Sequence, residues 1–160
     1  MTSELSNPSA STGNSTQTDG SCLCGAVKFS ISGPPLMKLL CHCVSCKKVS
    51  GSLFQANNFY SISQLTISPL TDPNAIKTYV DISPESSKNV HRTFCAVCGS
   101  RLWNTTPDEH PDNVVVMVGS LDLNDEEWKK WTPEREFFCK RKGEWLGDGG
   151  APAEGKTPEM

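Results

Sequence analysis

Val27, Phe29 and Ile31 alternate with Lys28, Ser30 and Ser32, a period of two that predicts a half-buried strand. Gly33-Pro34-Pro35 ends it. Leu36 to Leu40 is a short apolar run that delivers the chain to Cys41. Phe54 to Phe59, Leu65 to Ile67 and Ile76 to Val80 predict further short strands, as do Val90 to Phe94 and Ser100 to Asn104. In the last of these, Leu102 faces opposite to Arg101 and Trp103. Val114 to Val118 is an apolar, β-branched run and predicts a buried strand. Helical signals are fewer. Cys43 to Ser50 can form a turn or two. Asn124 can cap a short helix, with Asp125, Glu126 and Glu127 at its positive end and Trp128 on its inner side. The stretch 125–138 then reads as a helix and a strand packing on the sheet. The pattern predicts a mainly β domain with short helices.

The two ends break the pattern. Residues 1–19 are mostly Ser, Thr, Asn, Gln and Gly, which cannot bury enough apolar surface to offset ordering, so a disordered tail is expected. Residues 147–160 read as a second flexible end. The folded unit is expected over 20–146, one domain of a 160-residue chain. A net charge of −3 with no basic stripe makes nucleic acid a poor partner. No apolar run approaches the roughly 20 residues needed to span a membrane. No apolar segment of a secretory leader follows Met1, so a cytoplasmic, reduced protein is expected.

That compartment changes the meaning of eight cysteines. Seven of them fall into three clusters: Cys22-Leu23-Cys24-Gly25, Cys41-His42-Cys43-Val44-Ser45-Cys46, and Cys95-Ala96-Val97-Cys98-Gly99. Cys-x-Cys and Cys-x-x-Cys are metal-ligand spacings, and cysteines so close in sequence are poorly placed for a mutual disulfide. The outer pairs, Cys22/Cys24 and Cys95/Cys98, supply four thiolates, a closed tetrahedral zinc site. It would tie the first strand to the middle of the domain. The middle cluster holds three thiolates, Cys41, Cys43 and Cys46. Three protein ligands and one open position is how zinc is held when it does chemistry. Two zinc ions are therefore expected, one structural and one catalytic, and the loaded protein would carry a charge of about −6.

The fourth position of the middle site has several candidates. His42 lies between two ligands, but the intervening side chain of a Cys-x-Cys turn generally points away, which favours a supporting role. Binding by His42 would give a closed Cys₃His site. Cys139, His91 and His110 are the others, and each has an ordinary reading as a buried thiol, a strand residue and a loop residue. With the position open, three thiolates make an electron-rich ion, poorer at activating water and suited to exchangeable thiolate binding. Thiolate addition to an aldehyde, or its reversal, is the natural chemistry.

Three motifs carry a resemblance. Gly20-Ser21-Cys22-Leu23-Cys24-Gly25-Ala26-Val27 resembles the opening motif of the glutathione-dependent formaldehyde-activating enzyme family, which also includes centromere protein V. Cys41 to Cys46 followed by Ser50-Gly51-Ser52 resembles its central motif, and Arg92 to Leu102 its third. The match runs over about 20–146, with Trp145 closing it. The resemblance implies a β-rich zinc fold of the Mss4-like type. It implies a structural zinc on Cys22, Cys24, Cys95 and Cys98, and a catalytic zinc on Cys41, Cys43 and Cys46. The implied reaction is carbon–sulfur bond formation or cleavage, condensing glutathione with formaldehyde to S-hydroxymethylglutathione. Lys47, Lys48 and Arg92 lie near the motifs and are the cations available to the carboxylates of glutathione. A zinc-stabilised protein-binding module without chemistry is the competing expectation. The acidic and aromatic stretch 125–138 would be its docking edge.

Overall fold

The period-two segment becomes β2 (Lys28–Ser32), with Phe29 and Ile31 buried and Lys28 and Ser32 exposed. It is the middle strand of a small antiparallel sheet, between β1 (Gln17–Ser21) and β5 (Leu65–Ile67). The computed structural model describes residues 16–83, 87–147, 150, 151 and 153–156. β1 starts at Gln17, so the expected domain boundary at residue 20 falls inside a strand. Its residues are polar because it is an edge strand, and its hydrogen bonds to β2 rather than apolar burial hold it there. The rest of the expected N-terminal tail lies outside the described residues, apart from Thr16.

Seven strands form the second sheet. In chain order they are β3 (Met37–Cys41), β4 (Gln55–Ser61), β6 (Ile76–Ser83), β7 (Lys88–Cys95), β8 (Arg101–Thr106), β9 (His110–Met117) and β10 (Arg135–Phe137). Their order across the sheet is β10-β3-β4-β9-β8-β7-β6. All pairings are antiparallel except β10 on β3. The valine-rich segment is the central strand β9, with Val114, Val116 and Met117 buried, as expected of a strand covered by neighbours on both sides.

The main core lies between the sheets. Val27, Phe29 and Ile31 pack with Tyr60, Leu102, Trp103, Val114 and Val116. Phe29 meets Trp103 edge to face, with ring centroids 5.5 Å apart. Gly20 in β1 makes that packing possible, because a Cβ there would overlap the Phe29 ring and stand 2.7 Å from the Ser120 carbonyl. A second, smaller core gathers Leu39 with Cys41, Cys43 and Cys46, against Phe59, Phe137 and Phe138.

Two helices complete the fold. α1 (Val44–Ser50) follows the middle cysteines, and α2 (Asp125–Lys130) has Asn124 as its cap in a reciprocal capping box with Glu127. The expected inward role of Trp128 goes instead to Trp131. Trp128 is 42 % exposed, whereas Trp131, one residue beyond the helix, donates from its indole to Asn58 Oδ1 at 2.9 Å. The buried Asn58 on β4 offers the acceptor that the Trp131 indole N–H takes, and that bond sets which of the two aromatics faces the sheet. At the C-terminal end, expected to be flexible from residue 147, Ala151 is buried and Lys156 bridges to Glu136 beside β10. No helix among the described residues is long and apolar enough to cross a membrane.

Candidate metal centre

The outer cysteines stand on two similar turns. Cys22 accepts a hydrogen bond at its carbonyl from Gly25, and Cys95 from Gly99, at 2.9 and 2.8 Å. Gly25 and Gly99 both have φ of 75°, the left-handed backbone that a side chain disfavours. Each turn closes on itself, Cys22 N–H to the Val27 carbonyl and Cys95 N–H to the Ser100 carbonyl. A further hydrogen bond, from Leu23 N–H to Ser100 Oγ at 3.0 Å, locks the two turns together. The sulfurs of Cys22, Cys24, Cys95 and Cys98 consequently lie within 4.8 Å of one another. Sulfurs about 2.3 Å from a tetrahedral zinc stand about 3.8 Å apart. Cys22 to Cys24 is 3.5 Å and Cys24 to Cys95 is 3.8 Å, so the donor set fits that ion. The Val27 amide donates to Cys22 Sγ at 3.2 Å, and hydrogen bonds from Ser100 pull the Cys98 thiol down to about 5. Both favour the thiolate form that a metal takes.

The three middle cysteines are placed by a strand end and a helix start. Cys41 is the last residue of β3, fixed between Gln55 on β4 and Phe137 on β10. Cys43 is the N-cap of α1, and its sulfur accepts from the Cys46 amide at 3.3 Å. Cys46 lies one turn into α1. Their sulfurs also converge within 4.8 Å, with no fourth Cys, His, Asp or Glu ligand atom among the described residues in the group. Within the trio the thiolate form is favoured most at Cys43. Hydrogen bonds from Cys41 and Cys46 push its pKa well down, with smaller help from the Cys46 amide and the charge of Arg92. The same closeness to Cys43 pushes Cys41 up to about 12, and Cys46 is raised as well by its two neighbours. None of the eight cysteines is in a disulfide.

His42 does not join the sulfurs. It is fully buried and its Nε2 lies 2.7 Å from Oε1 of Glu136, which is itself fully buried. Lys142 reaches the same carboxylate at 3.1 Å. Burial alone would raise the Glu136 pKa, but the hydrogen bonds from His42 and Lys142 outweigh it and hold the carboxyl below its ordinary range. The His42 backbone N–H also bonds the Phe137 carbonyl at 3.0 Å. β10 therefore grips the Cys41–Cys43 turn by main chain and side chain together. Phe138, in left-handed backbone at φ 59°, turns the chain so that Lys142 returns to Glu136. Cys139 stays outside the cluster and bonds the Glu136 carbonyl through its sulfur at 3.3 Å. His91 and His110 sit on β7 and at the start of β9, outside both cysteine groups. Glu136 and Lys142 escaped the sequence reading because nothing in Arg135-Glu136-Phe137 marks a buried acid.

Beside the clusters is a cavity of about 750 Å³. Cys22, Cys98, Ser100 and Arg101 line one part of it, and Ser50 and Gln55 another. The three middle cysteines do not line it themselves. Two of its lining residues neighbour that group, Ser50 on the helix that carries Cys46 and Gln55, the register partner of Cys41. None of the cations expected to meet a carboxylate ligand lines this cavity. Arg92 is buried against Asp81, with Nη2 at 2.6 Å and Nε at 2.8 Å from one carboxylate oxygen. Lys47 donates to the Arg141 carbonyl, and Lys48 is exposed on α1. Arg101 is the cation at the cavity. Sequence alone did not single it out, since strand parity shows only that it shares a face with Trp103.

A family model described as glutathione-dependent formaldehyde-activating enzyme matches residues 17–141. The chain belongs to that family. Its match begins at the first residue of β1, and so takes in the small sheet as well as both cysteine groups. A Halomonas elongata protein provisionally named as a glutathione-dependent formaldehyde-activating enzyme is 31% identical over 144 residues, covering 80% of this chain and 78% of its own length. A crystal structure of a Rhodobacter sphaeroides protein superposes with a TM-score of 0.52 at 19% identity, over 70% of this chain and 95% of that one. That likeness extends the mainly β fold of this family member to a distant sequence.

Proposed function

We propose that the chain is a zinc-dependent carbon–sulfur lyase that joins glutathione to formaldehyde, or to a related aldehyde, in the manner of an S-hydroxymethylglutathione synthase. The observation that carries this reading is the group of three buried cysteine sulfurs without a fourth protein ligand, in a member of this family. Cys22, Cys24, Cys95 and Cys98 would hold a structural zinc, and Cys41, Cys43 and Cys46 a catalytic one. Zinc held there by Cys41, Cys43 and Cys46 would supply the Lewis acidity that lowers the pKa of a bound thiol.

The chain supplies the rest. β3 and α1 fix the three sulfurs, and Glu136 with Lys142 holds His42 and the turn it belongs to. The smaller core around them excludes bulk water, since Cys41, Cys43 and Cys46 are each under a tenth exposed. In the reaction the substrate sulfur attacks the aldehyde carbon. A carbon–sulfur bond forms, the carbonyl π pair moves to oxygen, and that oxygen takes a proton. The reverse breaks the same bond. A cytoplasmic setting fits such a protein, since seven of its cysteines stand in groups suited to a metal rather than to disulfides.

Exchange NMR on mixtures of glutathione and formaldehyde tests the proposal. The zinc-loaded protein is expected to raise the rate of adduct formation and breakdown without shifting the equilibrium. Unchanged rates across a panel of aldehydes would leave the zinc-stabilised binding module as the better reading.

A further inference from the structure

Arg101 is a partly buried guanidinium whose donors are largely unmet among the described residues. It is half-buried at the cavity wall, and among the described residues its only hydrogen bond runs from Nη2 to Asn104 Oδ1 at 2.7 Å. Its Nε is buried without a partner, and no carboxylate among the described residues pairs with it. Arg92, one strand away on β7, shows the contrast, since Asp81 takes up its guanidinium. A guanidinium has five N–H donors in a planar fork that matches a carboxylate. Leaving those donors unmet in a partly dry site costs free energy that an anionic ligand would recover.

The surroundings are those of a small-molecule site. A volume of about 750 Å³ is within the range of ligand pockets. Gln55 on its wall is 5 % exposed. Its Nε2 donates to Met117 Sδ at 2.6 Å, and its Oε1 is buried without a partner. Asp122, the acid among the lining residues, accepts from Ser21 Oγ at 2.8 Å. A ligand whose sulfur reaches the middle cysteines past Ser50 and Gln55 would lay its remaining length in this cavity.

We propose that Arg101 is the specificity-determining residue of the cavity, anchoring a carboxylate of the thiol substrate, with Gln55 beside it as a second polar contact. The class of substrate is then a thiol carrying a carboxylate, in preference to a neutral thiol of equal size. This inference rests on the proposed thiol-binding function and names what the thiol must carry.

Calorimetric titration of the zinc-loaded protein with 3-mercaptopropionate and with 3-mercapto-1-propanol tests it. The wild-type protein is expected to bind the carboxylate thiol about tenfold more tightly or better, the worth of a charge-assisted hydrogen bond. In Arg101→Gln that ratio is expected to fall to about one, and Arg101→Lys is expected to keep part of it, because charge survives without the fork. A wild type that binds both thiols equally would overturn the inference and leave the proposed function standing. So would an Arg101→Gln protein that loses both thiols, or its second zinc, to the same degree, since Arg101 would then act as counter-ion to the cysteines. A wild type that binds neither thiol would overturn the function and the inference together.

Discussion

Glu136 shows how a single buried side chain can organise a site without touching the chemistry. Its carboxylate joins His42 to Lys142, and its depressed pKa means that the folded state favours the charged form. A group with a lowered folded pKa stabilises the protein above its unfolded value, about 4.3 for Glu, and that contribution fades as the pH falls below it. Glu136→Gln is expected to cost roughly 3 kcal/mol at neutral pH, the scale for breaking a buried ion pair. It is also expected to flatten the loss of stability toward acid. Urea midpoints of the two proteins between neutral and acid pH give both numbers, and equal acid limbs would count against this role. Gly20→Ala tests a steric claim of a different kind. The added methyl meets Phe29 and the Ser120 carbonyl, so a loss of about 1–3 kcal/mol in the same assay is expected. The sequence marks the seven clustered cysteines, because metal-ligand spacings are short-range. Glu136, Lys142 and Arg101 are less legible, since their roles come from strand neighbours up to 94 residues away.

At the scale of elements, the two cysteine groups are built differently and should respond differently. The outer one joins two separate turns across 71 residues, whereas the middle one is a single turn into α1. Cys43→Ser is therefore expected to lose the middle metal and keep the fold. Cys22→Ser is expected to unfold much of the β1–β2 sheet, with circular dichroism separating the outcomes. The middle group also predicts a pH dependence. Without metal, the shifts favour the thiolate at Cys43 and the thiol at Cys41 and Cys46. Metal uptake must release about two protons, so affinity is expected to rise by up to roughly a hundredfold per pH unit near neutrality. Competition with a chromophoric chelator at two pH values measures that slope, and a flat profile would contradict it. Most strands were legible from alternation and β-branched runs. The polar edge strand β1 was not, nor was the placement of Trp131 instead of Trp128, because each is decided by a partner strand and not by local pattern.

For the whole molecule, a three-stranded sheet lies on a seven-stranded sheet, with four cysteines converging between a turn beside the first and a turn between β7 and β8, and three more at the end of β3 and the start of α1. The cavity lies beside both groups, with Arg101 on its wall. Chain order alone could not place the cavity, which needs strands from both ends of the sequence brought together. One closed site and one open site is the claim on which the proposed chemistry depends. Native mass spectrometry of the purified protein, with and without glutathione, tests it most directly. Two zinc ions per chain are expected, with one glutathione added when it is present, and Cys43→Ser is expected to hold one zinc and no glutathione. A wild-type chain that carries a single zinc, or that carries two and takes up no glutathione, would contradict the account.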